Sequence, residues 1–500
     1  MNIIRIATRA IVGIIKQVYR TVFYGVIGAT IALIILAVLY LDKRPDLKVW
    51  HTADLDAEFT HKSKVKNFKE YLALEDRLFA QLDEQVYAKI EPADQRMINR
   101  YHRGSLADPG RWKTNWNRSY EFRVTAPKIG VLLLHGMSDS PYSLRNLGER
   151  LHQEGAWVVG LRIPGHGTAP VGLVDVKWQD MAAAVKLAMQ HLRAQVNDAP
   201  LYIVGYSNGG ALAVQYTLTS LKDETLSLPQ GMVLLSPEIG VTKLAALAVW
   251  QERLGHLLGM EKLAWNSIQP EYDTFKYGSF ALNAGKQAYL LTNEIQQEIS
   301  RLGSGDVLQR MPPILAFQSV VDATVTAPAL VEGLFDRLPA GTHELTLYDL
   351  NRYAEIEPIL TSNPTAWINT MLHGREFDYT VTLITNQKEE SKQAVALSRK
   401  PDSKLTTECA LDAKWPDGVY SLSHVALPFP ANDPLYGNID IEDDTILQLG
   451  AVALRGERGV LQISADDLMR LRWNPFYNYQ ERRILSHLGL VKMPDNNCSE

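Results

Sequence analysis

Short runs of apolar residues alternate with longer amphipathic stretches through the middle of the chain. Runs of about four to eight apolar residues are typical of buried strands, and apolar positions repeating every three or four residues are typical of helices. This pattern predicts helices at residues 141–154, 178–195 and 327–338. It predicts strands at residues 129–134, 156–161, 201–204, 232–235, 314–321 and 344–350. Such alternation indicates an α/β fold, a mostly parallel sheet with helices on both faces.

Two segments interrupt this alternation. Residues 241–308 are rich in Leu, Ala, Trp and Tyr and have the length of a helical excursion across one edge of the sheet. Residues 351–417 contain one further predicted strand, at 379–385, and a polar, lysine-rich stretch. We interpret the second segment as an insertion rather than a separate domain. The expectation is therefore one large domain over residues 125–500, with a helical cap at 241–308 and an insertion at 351–417.

The most apolar segment lies near the N-terminus, at residues 21–41, and contains no charged residue. As a helix it would be roughly 32 Å long at about 1.5 Å per residue, enough for a hydrocarbon core of about 30 Å. The residues before it carry only positive charges, at Arg5, Arg9, Lys16 and Arg20. This pattern predicts a single-pass transmembrane anchor, with residues 1–20 in the cytoplasm and the following domain on the periplasmic or extracellular side.

A cleaved signal peptide is the alternative for this segment. Its apolar region is usually shorter, about 7–15 residues, and small residues precede the cleavage site. The run here is longer and ends in Leu-Tyr-Leu-Asp, which favours an uncleaved anchor. Residues 42–124 are then interpreted as a stalk and N-terminal extension. One predicted helix of this extension has an apolar face formed by Phe68, Leu72, Leu78, Leu82 and Val86.

The composition is that of an ordinary globular protein, with 46% hydrophobic and 21% charged residues. A net charge of -5 over 500 residues gives no reason to expect a nucleic-acid partner. Cys409 and Cys498 are the only two cysteines, too few for a disulfide framework or a structural zinc site. They could pair in an oxidising compartment or remain free thiols, and the sequence favours neither.

The sequence LYIVGYSNGGALAV, at residues 201–214, places Ser207 between an apolar run and a run of small residues. The spacing Gly-x-Ser-x-Gly is typical of a strand that turns sharply into a helix with a serine at its apex. Side chains two residues either side of such a serine would collide, and Gly205 and Gly209 avoid that collision. Ser207 is therefore the predicted nucleophile, at the edge where parallel sheets carry their binding sites.

A serine hydroxyl is a weak nucleophile that needs a base, an acid to orient the base, and donors for the oxyanion. The predicted strand at 129–134 runs directly into His135, Gly136 and Met137. Gly136 lets the backbone approach a substrate, so the amides of Met137 and Asn208 are the predicted oxyanion-hole donors. A histidine at a strand end most often holds a loop, so His135 is not expected to be the base.

The predicted acid is Asp322, which directly follows an apolar strand and so lies at the same edge of the sheet. The alternatives are Asp336, within a predicted helix, and Asp349, near the end of another strand. Asp322 could instead cap the helix that follows it. Its position at a strand end favours the catalytic role.

The base should follow the acid along the chain, and the candidates are His343, His373, His424 and His487. His343 begins a strand and would lie at the wrong edge of the sheet, whereas His487 falls in a C-terminal helix. His424 lies in the loop-like sequence SLSHVALPFPANDPLYG, where a side chain is free to point across the sheet edge. His424 is therefore the predicted base, with His373 as the alternative.

Four motifs occur in order along the chain: LLLHGM at 132–137, LRIPGHGTAP at 161–170, GYSNGG at 205–210 and VVDATV at 320–325. In these motifs the chain resembles the α/β-hydrolase superfamily, in its serine carboxylesterase and monoacylglycerol-lipase branch, the serine aminopeptidase-like hydrolases. The resemblance spans residues 129–325 and implies the α/β-hydrolase fold for the domain at residues 125–500, and the family core does not explain residues 1–120 or the segment past residue 437. It also implies that residues 241–308 form a cap over the acyl pocket.

The resemblance further implies hydrolysis of carboxylic esters through an acyl-enzyme. Ser207 would attack the ester carbonyl, and His424, oriented by Asp322, would take the serine proton and give it to the leaving alcohol. No metal or organic cofactor is implied. The expected partners are a small ester substrate, for which a membrane tether makes a lipid origin attractive, and the membrane itself.

Two alternatives to an esterase stay open. A peptidase or a thioesterase could use the same three residues on a different bond. A non-catalytic, membrane-tethered binding protein could retain the fold, because one fold serves many functions. The intact elbow, donor loop and acid disfavour this second alternative.

Overall fold

The computed structural model describes residues 2–240, 261–303, 306–401, 403–439, 447–452 and 461–492. A ten-stranded sheet runs through these residues in the order β1-β3-β2-β4-β5-β8-β9-β10-β11-β12. Its strands are β1 Tyr120–Phe122, β2 Ile129–Leu134, β3 Ala156–Leu161, β4 Leu201–Tyr206, β5 Gly231–Leu235, β8 Ile314–Ser319, β9 Glu344–Tyr348, β10 Thr380–Asn386, β11 Gln393–Arg399 and β12 Thr406–Lys414. A separate pair consists of β6 Trp265–Ser267 and β7 Phe280–Ala281.

The sheet is parallel through its centre and antiparallel at both ends. Every pairing from β3 through β2, β4, β5, β8 and β9 to β10 is parallel. The outer strands β1, β11 and β12 pair in the antiparallel sense. The prediction of a mostly parallel sheet is therefore confirmed. The carboxyl ends of β4, β5 and β8 are neighbours at one edge, which brings the loops after them together.

Helices cover both faces of the sheet. One face carries α6, α7 and α8, whose apolar side chains form the larger core with β2, β4 and β5. The opposite face carries α4 and α12, which contribute to a second core. The helices are α1 Asn2–Asp42, α2 Val49–Thr52, α3 Phe68–Gln85, α4 Arg145–Gln153, α5 Gly172–Asp175, α6 Trp178–Val196, α7 Asn208–Ser220, α8 Leu282–Leu302, α9 Ala327–Gly333, α10 Thr365–Asn369, α11 Ala465–Leu468 and α12 Tyr477–His487.

The first helix, α1, includes the segment predicted to cross a membrane. Its side chains are described at residues 13–32, 35 and 39–42, and the longest of these stretches contains Lys16 and Arg20. A bilayer-spanning helix needs about 20 predominantly apolar residues. Among the helices described, none is long and apolar enough to span a membrane. The predicted single-pass anchor, and the predicted location of the domain beyond it, are therefore wrong.

The N-terminal extension packs against the sheet domain. Phe68 and Tyr71, on α3, belong to the larger core. The guanidinium of Arg162, which follows β3, is buried between two carboxylates of the extension. Its Nη2 atom lies 2.9 Å from Oε1 of Glu58, and its Nε atom lies 3.1 Å from Oε2 of Glu75. This buried ion network joins the extension to the loop that follows β3.

The segment predicted as a helical cap divides into parts with different roles. Residues 241–260 lie outside the described residues. The β6–β7 pair and the loop between its strands come next, at residues 265–281. Helix α8, at Leu282–Leu302, then packs on the larger core, because Leu291, Ile295 and Ile299 are buried there. Helix α8 therefore packs on one face of the sheet domain, although the sequence pattern placed it in the cap.

The segment predicted as an insertion extends the sheet. Its predicted strand corresponds to β10, and the polar stretch that follows contains β11 and β12. Strand β12 lies at the edge of the sheet and buries Cys409 and Leu411 between more exposed neighbours. A strand buried on one face only lacks the continuous apolar run that marks the central strands. Cys409 is disulfide-bonded.

Candidate active site

Ser207 lies at a sharp turn between β4 and α7. Its φ angle is 53°, a left-handed conformation that few residues other than glycine adopt. A side chain on Gly205 would place its Cβ 2.4 Å from the carbonyl oxygen of Gly209. One on Gly209 would place its Cβ 2.1 Å from the carbonyl oxygen of Leu134. Both glycines are therefore required by close backbone approach, as the Gly-x-Ser-x-Gly spacing predicts.

The structure brings His424 into contact with both Ser207 and Asp322. Nε2 of His424 lies 3.0 Å from Oγ of Ser207, and Nδ1 lies 2.7 Å from Oδ2 of Asp322. An ionised carboxylate can only accept hydrogen bonds, so the Nδ1–H group donates to Asp322. Nε2 is then left as the acceptor for the serine hydroxyl. Ser207 and His424 are each 6% exposed, so the contact lies in a largely water-excluded site.

Asp322 is held as a carboxylate by its surroundings. Oδ1 accepts from the amides of Thr324 and Val325, at 2.8 and 3.0 Å. Oδ2 also accepts from the amide group of Gln318, at 2.9 Å. Burial of Asp322 opposes ionisation, but His424 and the backbone amides outweigh it and hold the pKa of Asp322 below its ordinary value. The group therefore remains an acceptor that can orient an imidazole.

The loop that carries His424 is fixed on both sides. The Ser319 hydroxyl, at the end of β8, donates to the carbonyl of Leu422 at 2.8 Å. The Ser423 hydroxyl donates to the carbonyl of Leu471. The amide of Asn474 donates to the carbonyl of Phe429 at 2.8 Å. The C-terminal segment before α12 thus supports this loop, a contact that the sequence did not predict.

The loop after β2 lies against the nucleophile. A Cβ on Gly136 would lie 3.1 Å from Cβ of Ser207, so only the absence of a side chain lets this backbone approach so closely. Met137 follows directly, and Ser138 has a φ angle of 62°. Asn208 is the first residue of α7, and the first amides of a helix have no partner within it. The loop that carries Met137 therefore lies against Ser207, and Asn208 follows Ser207 directly, so these two amides remain the predicted oxyanion-hole donors.

Two of the other candidate histidines are engaged in structural contacts. His135 Nε2 accepts from the amide of Ile163 at 3.0 Å, and Nδ1 donates to the carbonyl of Gly136 at 2.9 Å. Burial holds the pKa of His135 well below its ordinary value, so the imidazole is neutral. Nδ1 of His343 accepts from the amide of Ile314 at 3.2 Å, and burial lowers its pKa to about 4.

The remaining two histidines lie apart from Ser207. His373 is exposed and lies in a single wide helical turn, Thr370–Gly374. His487 ends α12, on the sheet face that carries the second core, and burial lowers its pKa to about 4. Among the described residues, His424 is the histidine whose ring contacts the Ser207 hydroxyl.

The alternative acids pair with arginines. Asp349 binds Arg352 through both oxygens, at 2.9 and 3.1 Å, and accepts from the Thr385 hydroxyl at 2.7 Å. Asp336 pairs with Arg375 at the surface. Neither carboxylate contacts a histidine in these bonds, whereas Asp322 does.

A pair of residues that the sequence analysis did not single out links the cap region to the donor loop. Nζ of Lys276 lies 2.6 Å from Oδ1 of Asp139, and the amide of Tyr277 donates to the carbonyl of Ser138 at 2.9 Å. These contacts connect positions about 137 residues apart, so no local pattern could reveal them. Within the described residues there is no group of three or more His, Cys, Asp and Glu arranged to hold a metal ion.

A mostly parallel sheet, a serine at the strand–helix turn, and a histidine between that serine and a buried carboxylate together define an α/β-hydrolase. Residues 125–351 match the family described as serine aminopeptidase, S33. Over these residues the chain is similar to the α/β-hydrolase superfamily, in its monoacylglycerol lipase-like branch.

Two curated relatives match parts of the chain. A thermostable monoacylglycerol lipase of Bacillus sp. (strain H-257) is 31% identical over 86 residues, which are 17% of this chain and 34% of the relative. An uncharacterised abhydrolase domain-containing protein of Dictyostelium discoideum is 25% identical over 259 residues, which are 49% of this chain and 26% of the relative. The chain therefore spans about a quarter to a third of the length of these relatives.

Solved structures are similar over slightly less than half of the chain. A monoacylglycerol lipase of Paleococcus ferrophilus is 18% identical, with a TM-score of 0.35, over 46% of this chain and 88% of that one. A soluble variant of the monoglyceride lipase of Saccharomyces cerevisiae is 16% identical, with a TM-score of 0.36, over 46% of this chain and 82% of that one.

Proposed function

We propose that the protein is a serine hydrolase of carboxylic esters that works through an acyl-enzyme, with Ser207, His424 and Asp322 as its catalytic residues. The observation that carries the proposal is the unbroken line of contacts from Ser207 Oγ through His424 to Asp322 Oδ2, at 3.0 and 2.7 Å. This is the arrangement that lets an imidazole remove a serine proton while a carboxylate stabilises the resulting imidazolium.

In the first half of the reaction, Ser207 Oγ bonds to the ester carbonyl carbon as His424 Nε2 takes its proton. The carbonyl π electrons move onto oxygen, and the amides of Met137 and Asn208 donate to that oxyanion. The tetrahedral intermediate then collapses. The bond to the leaving alcohol breaks, and His424 gives its proton to the alcohol oxygen.

In the second half, water takes the place of the alcohol. His424 removes a proton from the water as its oxygen bonds to the acyl carbon, and the second tetrahedral intermediate releases Ser207. The proton returns to Ser207 Oγ, and the carboxylic acid leaves. Throughout both halves, the Asp322 carboxylate keeps the Nδ1–H tautomer of His424 in place.

For the substrate we propose a small ester of a fatty acid or a similar apolar acid. The proposal draws support from a relative named as a monoacylglycerol lipase. A peptidase or a thioesterase would share these parts and differ in the bond that is cleaved.

The test compares an ester, a thioester and an aminoacyl amide that carry the same acyl group. We expect the wild-type protein to hydrolyse the ester fastest, and Ser207→Ala to lose at least about 10³-fold in kcat. Circular dichroism of the Ser207→Ala variant checks that it is folded. Faster turnover of the thioester or of the amide would show that the protein is a thioesterase or a peptidase instead. Absence of turnover on all three would overturn the proposal.

A further inference from the structure

A buried glutamine of helix α12 contacts the loop that carries His424. Gln480 is 1% exposed, although glutamine is mostly found at protein surfaces. Its Nε2 atom donates to the carbonyl of Leu427 at 2.9 Å. Leu427 directly follows the short helical turn His424–Ala426 and ends it. Gln480 therefore holds the end of the turn in which the proposed base lies.

The acceptor end of the Gln480 amide is also fixed. Oε1 accepts from the hydroxyl of Tyr348 at 3.0 Å and from the side-chain amide of Asn474 at 3.2 Å. Tyr348 ends β9 and is fully buried, and Asn474 is 1% exposed. A buried amide that is bonded through both its donor and its acceptor cannot rotate without breaking these bonds. The sheet therefore determines where the donor to Leu427 lies.

Asn474 makes a second contact with the same loop. Its backbone amide donates to the carbonyl of Phe429 at 2.8 Å. Its Oδ1 atom accepts from the amide of Phe476 at 2.9 Å, directly before α12. The ring of Phe476 stacks on that of Tyr348, with 5.9 Å between the ring centres. These contacts join β9, α12 and the His424 loop into one buried unit.

The packing of α12 does not require a polar residue at position 480. Ile484 and Leu485 of this helix already belong to the second core, and an apolar side chain could pack beside them. A buried amide adds direction instead, because hydrogen bonds constrain both distance and angle. Direction matters at His424, since its ring must stay within hydrogen-bond reach of Ser207 and Asp322 at once.

We propose that Gln480 is a positioning residue for the base and acts on the reaction through His424. Its bond to Leu427 fixes the turn, so that the imidazole meets Ser207 and Asp322 together. A displacement of about 1 Å between reacting groups can cost about 10²-fold in rate. The inference rests on the proposed function and deepens it. It makes α12, which lies beyond the family-matched residues 125–351, a support of the active site.

The test measures kcat and KM on a short chromogenic ester. Gln480→Met keeps the length of the side chain and removes its hydrogen bonds. We expect it to lower kcat by about tenfold with KM nearly unchanged. Equal kcat in this variant and the wild type would overturn the positioning role. Circular dichroism and thermal unfolding check that the variant is folded.

Gln287→Met is the matched control. Gln287 is a buried glutamine of α8, on the other face of the sheet. Its amide donates to Oδ1 of Asn283 at 2.8 Å and accepts from the amide of Trp178 at 3.1 Å. We expect this variant to lose similar hydrogen bonds and to keep kcat within about twofold of the wild type. An equal loss of kcat in both variants would contradict a specific role for Gln480.

A double-mutant comparison separates positioning from general structural damage. Gln480→Met is combined with His424→Ala, and the residual turnover is compared with that of His424→Ala alone. A residue that acts through His424 has nothing to position once the imidazole is gone, so the two rates should agree within about twofold. The same tenfold loss in both backgrounds, about 10-fold in each, would overturn the positioning role while ester hydrolysis stands.

Tyr348→Phe is a milder change in the same network, because it removes the hydroxyl that bonds Gln480 and keeps the ring. It decides the question if Gln480→Met fails to fold. We expect a loss of about threefold in kcat that disappears in the His424→Ala background. Unchanged kcat, or a loss that persists in that background, would overturn the positioning role. Absence of ester hydrolysis in the wild type would instead overturn the proposed function.

Discussion

Nζ of Lys276 lies 2.6 Å from Oδ1 of Asp139, so the segment between β6 and β7 is tied to the loop that carries the Met137 amide. The next residue reinforces the contact, because the amide of Tyr277 donates to the carbonyl of Ser138. Ser138 has a φ angle of 62°, a strained conformation that persists only when its surroundings hold it. The Lys276–Asp139 ion pair therefore helps to position the loop after β2, which carries the Met137 amide.

Removal of this ion pair should weaken transition-state stabilisation more than substrate binding. We predict that Lys276→Met lowers kcat on a short chromogenic ester by about tenfold, less than the loss of a whole oxyanion donor, with KM nearly unchanged. Steady-state kinetics measure both constants. Lys262→Met is the matched control, because Lys262 pairs with Asp46 away from the donor loop. An equal loss in both variants would contradict the positioning role.

The assignment of the base can be tested by two histidine substitutions. His424→Ala should lower kcat by about 10³-fold or more, because no other imidazole contacts Ser207 in the described residues. His373→Ala should retain kcat within about twofold, since the side chain is exposed and surface substitutions are usually mild. The same ester assay measures both. Full activity in the His424→Ala variant would show that His424 is not the base.

The acid can be tested by an isosteric change. Asp322→Asn should lower kcat by about 10³–10⁴-fold, because an amide cannot hold the Nδ1–H tautomer of His424 as a carboxylate does. Asp336→Asn is the control, since Asp336 pairs with Arg375 at the surface. Thermal unfolding of both variants separates loss of chemistry from loss of structure. A similar kcat in the two variants would argue against Asp322 as the acid.

The raised pKa of Glu238 makes a prediction about stability. Its pKa is raised by burial from 4.5 to about 7, so the folded protein holds a proton that the unfolded chain has lost. Stability is therefore lost as pH rises from about 4.5 to about 7. At pH about 8, the free energy of unfolding of Glu238→Gln should exceed that of the wild type by up to about 3 kcal/mol. At pH about 4 the two free energies should differ little.

Denaturant unfolding at both pH values measures this difference. The exposed Glu84→Gln provides the control, because loss of a solvated carboxylate should change stability equally little at both pH values. A stabilisation by Glu238→Gln that is the same at pH about 4 and about 8 would show that burial of the charge is not its cause.

The sequence predicted the residues that follow from local pattern. Ser207 and Asp322 were predicted because each follows a predicted buried strand, and His424 because its loop is free of regular structure and follows the acid. The Lys276–Asp139 pair could not be found in this way, because tertiary packing alone brings these residues together.

Other parts of the fold departed from the sequence pattern for physical reasons. Strands β11 and β12 were missed because their polar residues face outward at the sheet edge, which removes a continuous apolar run. Helix α8 was assigned to the cap because its apolar face resembles that of any packing helix. An apolar run at the N-terminus predicted a membrane anchor, and no described helix has the properties of one.

The central claim is that Ser207 is the nucleophile of a Ser–His–Asp hydrolase. The most direct measurement is reaction with a fluorophosphonate, which phosphonylates activated serines, followed by peptide mass spectrometry. We expect a single adduct on the peptide that contains Ser207, much slower labelling of His424→Ala, and none of Ser207→Ala. Absence of labelling in the wild-type protein, or an adduct on another residue, would contradict it.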